Sequence, residues 1–191
     1  MLIINPEDVK AERQEIIEKI RDGAIFVYPT DTIYGIGCNA MNSKSVLKVR
    51  ETKARSTNPF SVIAPNAKWI RENCELSQSA EEWLAKLPGP YTFILPLKNK
   101  NAVAKETNPK SGTLGVRIPD HWFSKIISEA NVPFISTSVN KSGEDYMTSM
   151  EDMDDDIKGS VDVIVYEGAK QSKPSKIVDL TSSAKVIPRF K

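Results

Sequence analysis

The chain is poor in the side chains from which many catalytic and metal sites are built: its 191 residues include one histidine, His121, and two cysteines, Cys38 and Cys74. A single histidine leaves little material for a His-based triad or a multi-histidine metal centre, so catalysis must rest on other groups. The cysteines fall in neither a CxxC nor a zinc-finger spacing, which argues against a disulfide framework or structural zinc and fits a reducing cytoplasm. An excess of one charge is also missing. With 26 basic against 25 acidic residues, a uniformly basic nucleic-acid coat is excluded, although local clusters are not. The first residues meet Pro6, Glu7 and Asp8 before any long apolar core develops, against a signal peptide or membrane span. No fixed-period repeat or biased linker divides the sequence, so residues 1–191 are expected to form a single domain.

What is present is an alternation of helical and β-rich segments. Asn5-Pro6 followed by two acids predicts a helix start, with Val9, Arg13, Ile16, Ile17 and Ile20 as its face and Gly23 at its end. A second helix is expected from about Ser43 to Lys53, with Val46, Leu47 and Val49 turned inward, and others near 66–73, 79–87 and 120–130. Strands are expected over 24–28, 60–64, 91–97, 113–118 and 132–136, with short ones near 161–166, 176–181 and 185–188. Residues 98–111 read as polar loop. The order predicts an α/β architecture with a mixed sheet.

Two strand-to-loop junctions carry candidate chemistry. The run from Tyr28 to Cys38 passes from an apolar strand into Thr30, Asp31, Thr32 and the spaced glycines Gly35 and Gly37, which suits either a plain polar turn or a ligand wall. The run from Pro133 to Gly143 packs Ser136, Thr137, Ser138, Asn140 and Lys141 into a few positions, and open α/β sheets bind ligands at strand ends. Between Lys44 and Arg55 lies the strongest basic cluster. Lys44 and Lys48 read as a solvated helix face. Lys53 and Arg55 stand where the helix should end, from which their donors can project toward a shared anion such as a polyphosphate or stay solvated. Arg117 leaves a mostly apolar strand and needs an anionic partner, for which an internal carboxylate such as Asp31 and a substrate carboxylate fit equally. His121 reads as a capping or structural group. The acidic run from Glu151 to Asp156 reads as a solvated helix rather than a metal site, and Trp69, Trp83 and Trp122 as core packing rather than stacking platforms.

Taken together, these segments resemble the YrdC family, the threonylcarbamoyl-AMP synthases of tRNA modification. The resemblance is carried by Pro29-Thr30-Asp31-Thr32-Ile33-Tyr34-Gly35, Lys53-Ala54-Arg55, Pro88-Gly89-Pro90-Tyr91-Thr92-Phe93-Ile94-Leu95, Val116-Arg117-Ile118-Pro119, Thr137-Ser138-Val139-Asn140-Lys141-Ser142-Gly143 and Pro174-Ser175-Lys176-Ile177-Val178-Asp179, in that order. It implies a twisted mixed sheet flanked by helices around a concave basic cavity. The implied reaction converts L-threonine, bicarbonate and ATP to threonylcarbamoyl-AMP and pyrophosphate, with Mg2+ accompanying ATP and no dedicated metal-ligand set. A partner threonylcarbamoyl transferase is implied downstream. The resemblance assigns Lys53, Arg55, Ser138 and Asn140 to catalysis at the nucleotide phosphates, Thr30, Arg117, Ser136 and Ser175 to threonine, and Thr113 and Arg189 to the nucleotide. Ile63, where many members place a histidine, Lys176 in place of a commoner threonine, and the tail around Arg189 depart from the family pattern. Two rivals remain at the sequence level: a module that binds tRNA or double-stranded RNA through the same concavity, and a divergent nucleotide-binding relative acting on another carbamoyl or acyl acceptor.

Overall fold

The computed structural model describes residues 1–110 and 112–188. Its ten strands are β1 (Leu2–Ile4), β2 (Phe26–Tyr28), β3 (Gly35–Gly37), β4 (Ser61–Ile63), β5 (Tyr91–Pro96), β6 (Thr113–Arg117), β7 (Phe134–Ser138), β8 (Val163–Val165), β9 (Lys176–Asp179) and β10 (Lys185–Ile187). Seven helices accompany them: α1 (Pro6–Ala11), α2 (Arg13–Asp22), α3 (Ser43–Thr52), α4 (Ala67–Asn73), α5 (Gln78–Leu84), α6 (Trp122–Ala130) and α7 (Asp155–Ser160). The strands form one mixed sheet in the order β1-β8-β2-β3-β7-β4-β6-β5-β9-β10. The α/β reading holds, with a large twisted mixed sheet flanked by helices.

Helix starts follow the sequence closely. The Asn5 side chain accepts from the Glu7 and Asp8 amides while Asp8 accepts from the Asn5 amide, a reciprocal cap at the first turn. The single helix expected up to Gly23 is two helices, because the chain turns at Glu12, whose φ of −103° and ψ of 26° leave the helical region. Gly23 ends α2 at φ 90°, a left-handed position where glycine has no steric penalty. In α3 the buried positions are Val46, Val49 and Arg50. Leu47 is 45% exposed, contrary to its expected inward turn, because it lies a full helical step round from Val46.

Two strands escaped the sequence reading, β1 and β3. Within 98–111, residues Lys105–Thr107 form a single 3-10 turn. In β3 the glycines are required by close approach: a Cβ on Gly37 would lie 1.8 Å from the Ile135 carbonyl oxygen, and one on Gly35 2.9 Å from the Tyr28 ring. One core cluster gathers Ile16, Ile20, Phe26, Tyr28, Ile63, Phe123, Ile127 and Phe134, where α1, α2 and α6 cover the sheet. The Arg13–Glu129 ion pair and the Arg21 bonds to the Glu129 and Ala130 carbonyls tie α2 to α6. The larger cluster packs α3, α4, α5 and α7 with residues of β2 through β9, and Trp69 and Trp83 lie against it, as expected of core residues. Trp122 packs against the other cluster. Among the described residues no helix is long and apolar enough to cross a membrane.

Candidate active site

A cleft of about 270 Å³ opens over the middle of the sheet, where β3, β7, β4, β6, β5 and β9 lie side by side. Register builds its floor. Ser61 is paired with Gly115 on one side and Ser136 on the other, so their Cβ positions share one face, and Gly35 stands opposite Ser138. Gly115 keeps the floor open, since a Cβ there would come within 2.5 Å of the Ser61 hydroxyl. Among the described residues, the cleft-lining side chains of fixed charge are Arg55 and Arg117, and no carboxylate is among them.

Arg117 forms the deep end. Its guanidinium is buried and donates to Asp31 at 2.7 Å and to the Thr32 hydroxyl at 3.3 Å. Asp31 also accepts from the Asp120 amide at 3.0 Å. Of the two partners open to Arg117, the structure therefore supplies the internal carboxylate, but the buried Arg117 Nε has no partner among the described residues. Burial lowers the Arg117 pKa while Asp31 opposes the shift. Thr30 lies beneath this corner. Its hydroxyl donates to the Ile33 carbonyl at 2.7 Å, so the 3.0 Å contact with Thr32 is donated by Thr32. The chain Arg117→Thr32→Thr30→Ile33 fixes the turn after β2, and Thr32, not Thr30, faces the cleft. Ser175 enters from the opposite side and shares a 2.8 Å hydrogen bond with Thr92.

At the other end, Lys53 does not project into solvent. It is 1% exposed, and its ammonium donates to the carbonyl of Ser138, to that of Asn140 at 2.6 Å and to the Asn140 side-chain oxygen at 3.1 Å. That same oxygen accepts from the Ser138 hydroxyl at 2.6 Å, while the Asn140 amide donates to Glu144. The four residues matched to the phosphates thus divide: Arg55 and Ser138 line the cleft, while Lys53 and Asn140 brace the strand end behind it. Burial, with the Arg55 charge adding to it, pulls the Lys53 pKa down to about 7. A neutral amine retains two N–H donors for these carbonyls.

Arg50, which the sequence reading left without a role, organises the rim. Buried on α3, it donates to the carbonyls of Arg55, Ser56 and Asn58 in one loop and of Glu106 and Thr107 in another, with its guanidinium 4.5 Å from the Phe60 ring centroid. Arg55 donates to the Asn58 and Pro59 carbonyls and lies 5.2 Å from the same ring. Positions 46, 49, 50 and 53 share one face of α3 at helical spacing, and that periodicity was the available signal that Arg50 and Lys53 turn inward.

Of the ten assigned residues, the cleft collects Arg55, Thr113, Arg117, Ser136, Ser138 and Ser175, whereas Arg189 lies outside the described residues. Thr32, Ser61, Thr92 and Asn108 also line it and were not singled out as site residues. His121 caps α6, its ring accepting from the Phe123 amide at 3.3 Å and meeting Glu167 at 3.0 Å. The acidic run forms a 3-10 turn and the start of α7, and Lys141 pairs with Asp154 at 2.9 Å and Asp156 at 2.6 Å.

Similarity to known proteins converges on one family. The Sua5/YciO/YrdC family profile, described as "Telomere recombination", matches residues 18–189. A Methanocaldococcus jannaschii protein provisionally named threonylcarbamoyl-AMP synthase is 35% identical over 183 residues, covering 93% of this chain and 84% of that one. The threonylcarbamoyl-AMP synthase of Vibrio vulnificus is 29% identical over 173 residues, covering 87% and 92%. Among solved structures, P. abyssi Sua5 complexed with L-threonine superposes with a TM-score of 0.83 at 27% identity and covers 95% of this chain, which spans 54% of that protein's length. With fold, motif order and sequence similarity agreeing over most of its length, the chain belongs to the Sua5/YciO/YrdC family.

Proposed function

We infer that this protein is an L-threonylcarbamoyladenylate synthase, which joins L-threonine, bicarbonate and ATP into threonylcarbamoyl-AMP and pyrophosphate for threonylcarbamoyladenosine modification of tRNA. The observation that carries this reading is the cleft itself. Among the described residues, a buried arginine with an unpartnered Nε stands at one end, a second arginine beside a strand-end hydroxyl stands at the other, and no carboxylate lines the space between. The first suits an amino-acid carboxylate and the second a phosphate chain. Full-length relatives named as threonylcarbamoyl-AMP synthases and the L-threonine complex of Sua5 support it.

The threonine amine attacks the bicarbonate carbon and water leaves, giving a carbamate. A carbamate oxygen then attacks the α-phosphorus of ATP, and pyrophosphate departs with the electrons of the broken P–O bond. Neither step needs a protein nucleophile, which fits a cleft lined by hydroxyls together with Arg55 and Arg117. Arg117, Thr32 and Ser136 hold the amino acid with Ser175 facing them. Arg55 and Ser138 offset the charge of the phosphates, with Lys53 and Asn140 fixing the backbone that carries Ser138. Thr30 acts through Thr32. Thr113 lies on the nucleotide side, and Arg189 is assigned there by its place in the family pattern.

Magnesium enters with ATP. Among the described residues no group of three His, Cys, Asp or Glu side chains is placed to hold a metal. The product is a reactive mixed anhydride, and a threonylcarbamoyl transferase in the cytoplasm would consume it. Purified protein with ATP, magnesium and bicarbonate should release pyrophosphate only when L-threonine is added. Threonine-independent release, or none, defeats the assignment.

A further inference from the structure

Among the described residues, two buried side-chain polar atoms have no hydrogen-bond partner, Arg117 Nε and Asn108 Oδ1. Both residues line the same cleft. The two atoms are opposite in kind. Arg117 presents a donor and calls for an acceptor, whereas Asn108 presents an acceptor and calls for a donor. Leaving such an atom unpaired in a dry site is unfavourable, so two of them in one cleft point to a ligand that satisfies both.

The Asn108 amide has one orientation compatible with its surroundings. Its Nδ2 donates to the Thr113 carbonyl at 2.7 Å, and exchanging nitrogen for oxygen would set two acceptors face to face. The backbone before it is pinned by Arg50, which holds the Glu106 and Thr107 carbonyls, and by the Phe60 amide, which donates to Thr107 at 2.9 Å. Asn108 stands beside Thr113, at the opposite end of β6 from Arg117. Four residues of strand place these ends about 13 Å apart.

This separation selects the donor. Ionised phosphate and carboxylate oxygens are acceptors and cannot satisfy Asn108, and the one O–H of bicarbonate must sit beside the threonine amine that attacks its carbon, at the Arg117 end. The ammonium and the hydroxyl of threonine both lie within a few bonds of its carboxylate, so neither reaches Asn108 when that carboxylate is held at Arg117. What remains is the nucleoside half of ATP, with its exocyclic amine and ribose hydroxyls. We propose that Asn108 is a specificity-determining residue whose Oδ1 accepts a hydrogen bond from the nucleoside, either the 6-amino group of adenine or a ribose hydroxyl. This rests on the ATP-dependent reading above.

The test is calorimetric binding of ATP, ITP, 2′-deoxy-ATP and 3′-deoxy-ATP to wild-type protein and to Asn108→Ala, alongside threonine-dependent pyrophosphate release. Wild-type protein should bind one analogue about 10–100-fold more weakly than ATP, and Asn108→Ala should bind ATP and that analogue equally. Loss of discrimination against ITP assigns the contact to the base; loss of discrimination against a deoxynucleotide assigns it to the sugar. Wild-type protein that treats all four nucleotides alike overturns the proposal without depending on any variant. So does a folded Asn108→Ala protein that discriminates as the wild type does. Asn108-dependent discrimination without threonine-dependent turnover would leave this inference standing and remove the synthase reading. Failure to bind any nucleotide would remove both.

Discussion

At the residue scale, Lys53 and Arg117 show how a buried cation is tolerated in two different ways. Lys53 is surrounded by carbonyl oxygens and has a pKa lowered to about 7 by burial and then by Arg55. Polyphosphate bound at Arg55 would favour the ammonium and return that pKa upward. ATP binding at pH 8, above the lowered value, should therefore take up part of a proton. Calorimetry in buffers of different ionisation enthalpy should show this uptake in the wild type and its loss in Lys53→Met; equal uptake by both proteins would remove Lys53 from the linkage. Arg117 instead has a true counter-ion in Asp31, with side chains 7% and 9% exposed. Asp31→Ala would leave the guanidinium buried beside hydroxyls alone, so denaturant unfolding should show a loss of about 3–5 kcal/mol. A change below about 1 kcal/mol would mean that solvent reaches the pair.

Elements were legible where local chemistry decides and obscure where a neighbouring strand decides. Caps, the Gly23 stop and the β-rich runs of β5, β6 and β7 could be read directly, because each rests on residues close in sequence. The Gly35-Ile36-Gly37 strand could not, since glycine weakens a strand signal and its need here comes from Tyr28 and Ile135 across the sheet. Gly37→Ala sets a methyl against a backbone carbonyl that belongs to a central strand. Its stability loss should reach at least about 3 kcal/mol in denaturant unfolding, the upper range for overpacking. Arg50 teaches the same lesson for a helix. Its five carbonyl acceptors lie in loops that sequence spacing cannot bring together. Arg50→Leu keeps the apolar stem but releases both loops, so KM for ATP should rise roughly tenfold or more, the loss of one charged hydrogen bond, while KM for threonine stays near wild type. An equal rise in both would show general loosening instead of placement of the nucleotide rim.

At the scale of the whole molecule, the six motifs supply many of the residues around the cleft, while the sheet order determines which of them share it. Thr32 and Thr92 stood inside these motifs without a role of their own, while Ser61 and Asn108 carried no distinct local signal, and the fold brings all four to one cleft. The same topology explains the connection between β8 and β9. These strands occupy the second and ninth places in the sheet, so residues 166–175 pass from one side of the fold to the other and bring Pro174 and Ser175 into the cleft. Glu167 anchors that crossing, accepting from the Trp122 indole at 2.7 Å and the Lys170 ammonium at 2.6 Å and meeting His121 at 3.0 Å. Tyr34 adds a 2.7 Å bond to the Gly168 carbonyl, and Tyr146 a 3.0 Å bond to that of Ser172. Burial lowers the His121 pKa and Glu167 opposes that shift, while Glu167 itself, although burial raises it, is held below the usual carboxylate range by Lys170, Trp122 and His121. Glu167→Ala leaves them without their common acceptor, and a destabilisation of about 1–3 kcal/mol should follow. Because Ser175 reaches the cleft from the far end of this segment, KM for threonine should rise more than KM for ATP. Trypsin should also cut after Lys170 faster in the variant, with threonine and ATP together slowing the cleavage. Unchanged proteolysis with unchanged threonine KM would show that Glu167 holds only the start of the crossing and that the Thr92–Ser175 bond is sufficient to seat its end.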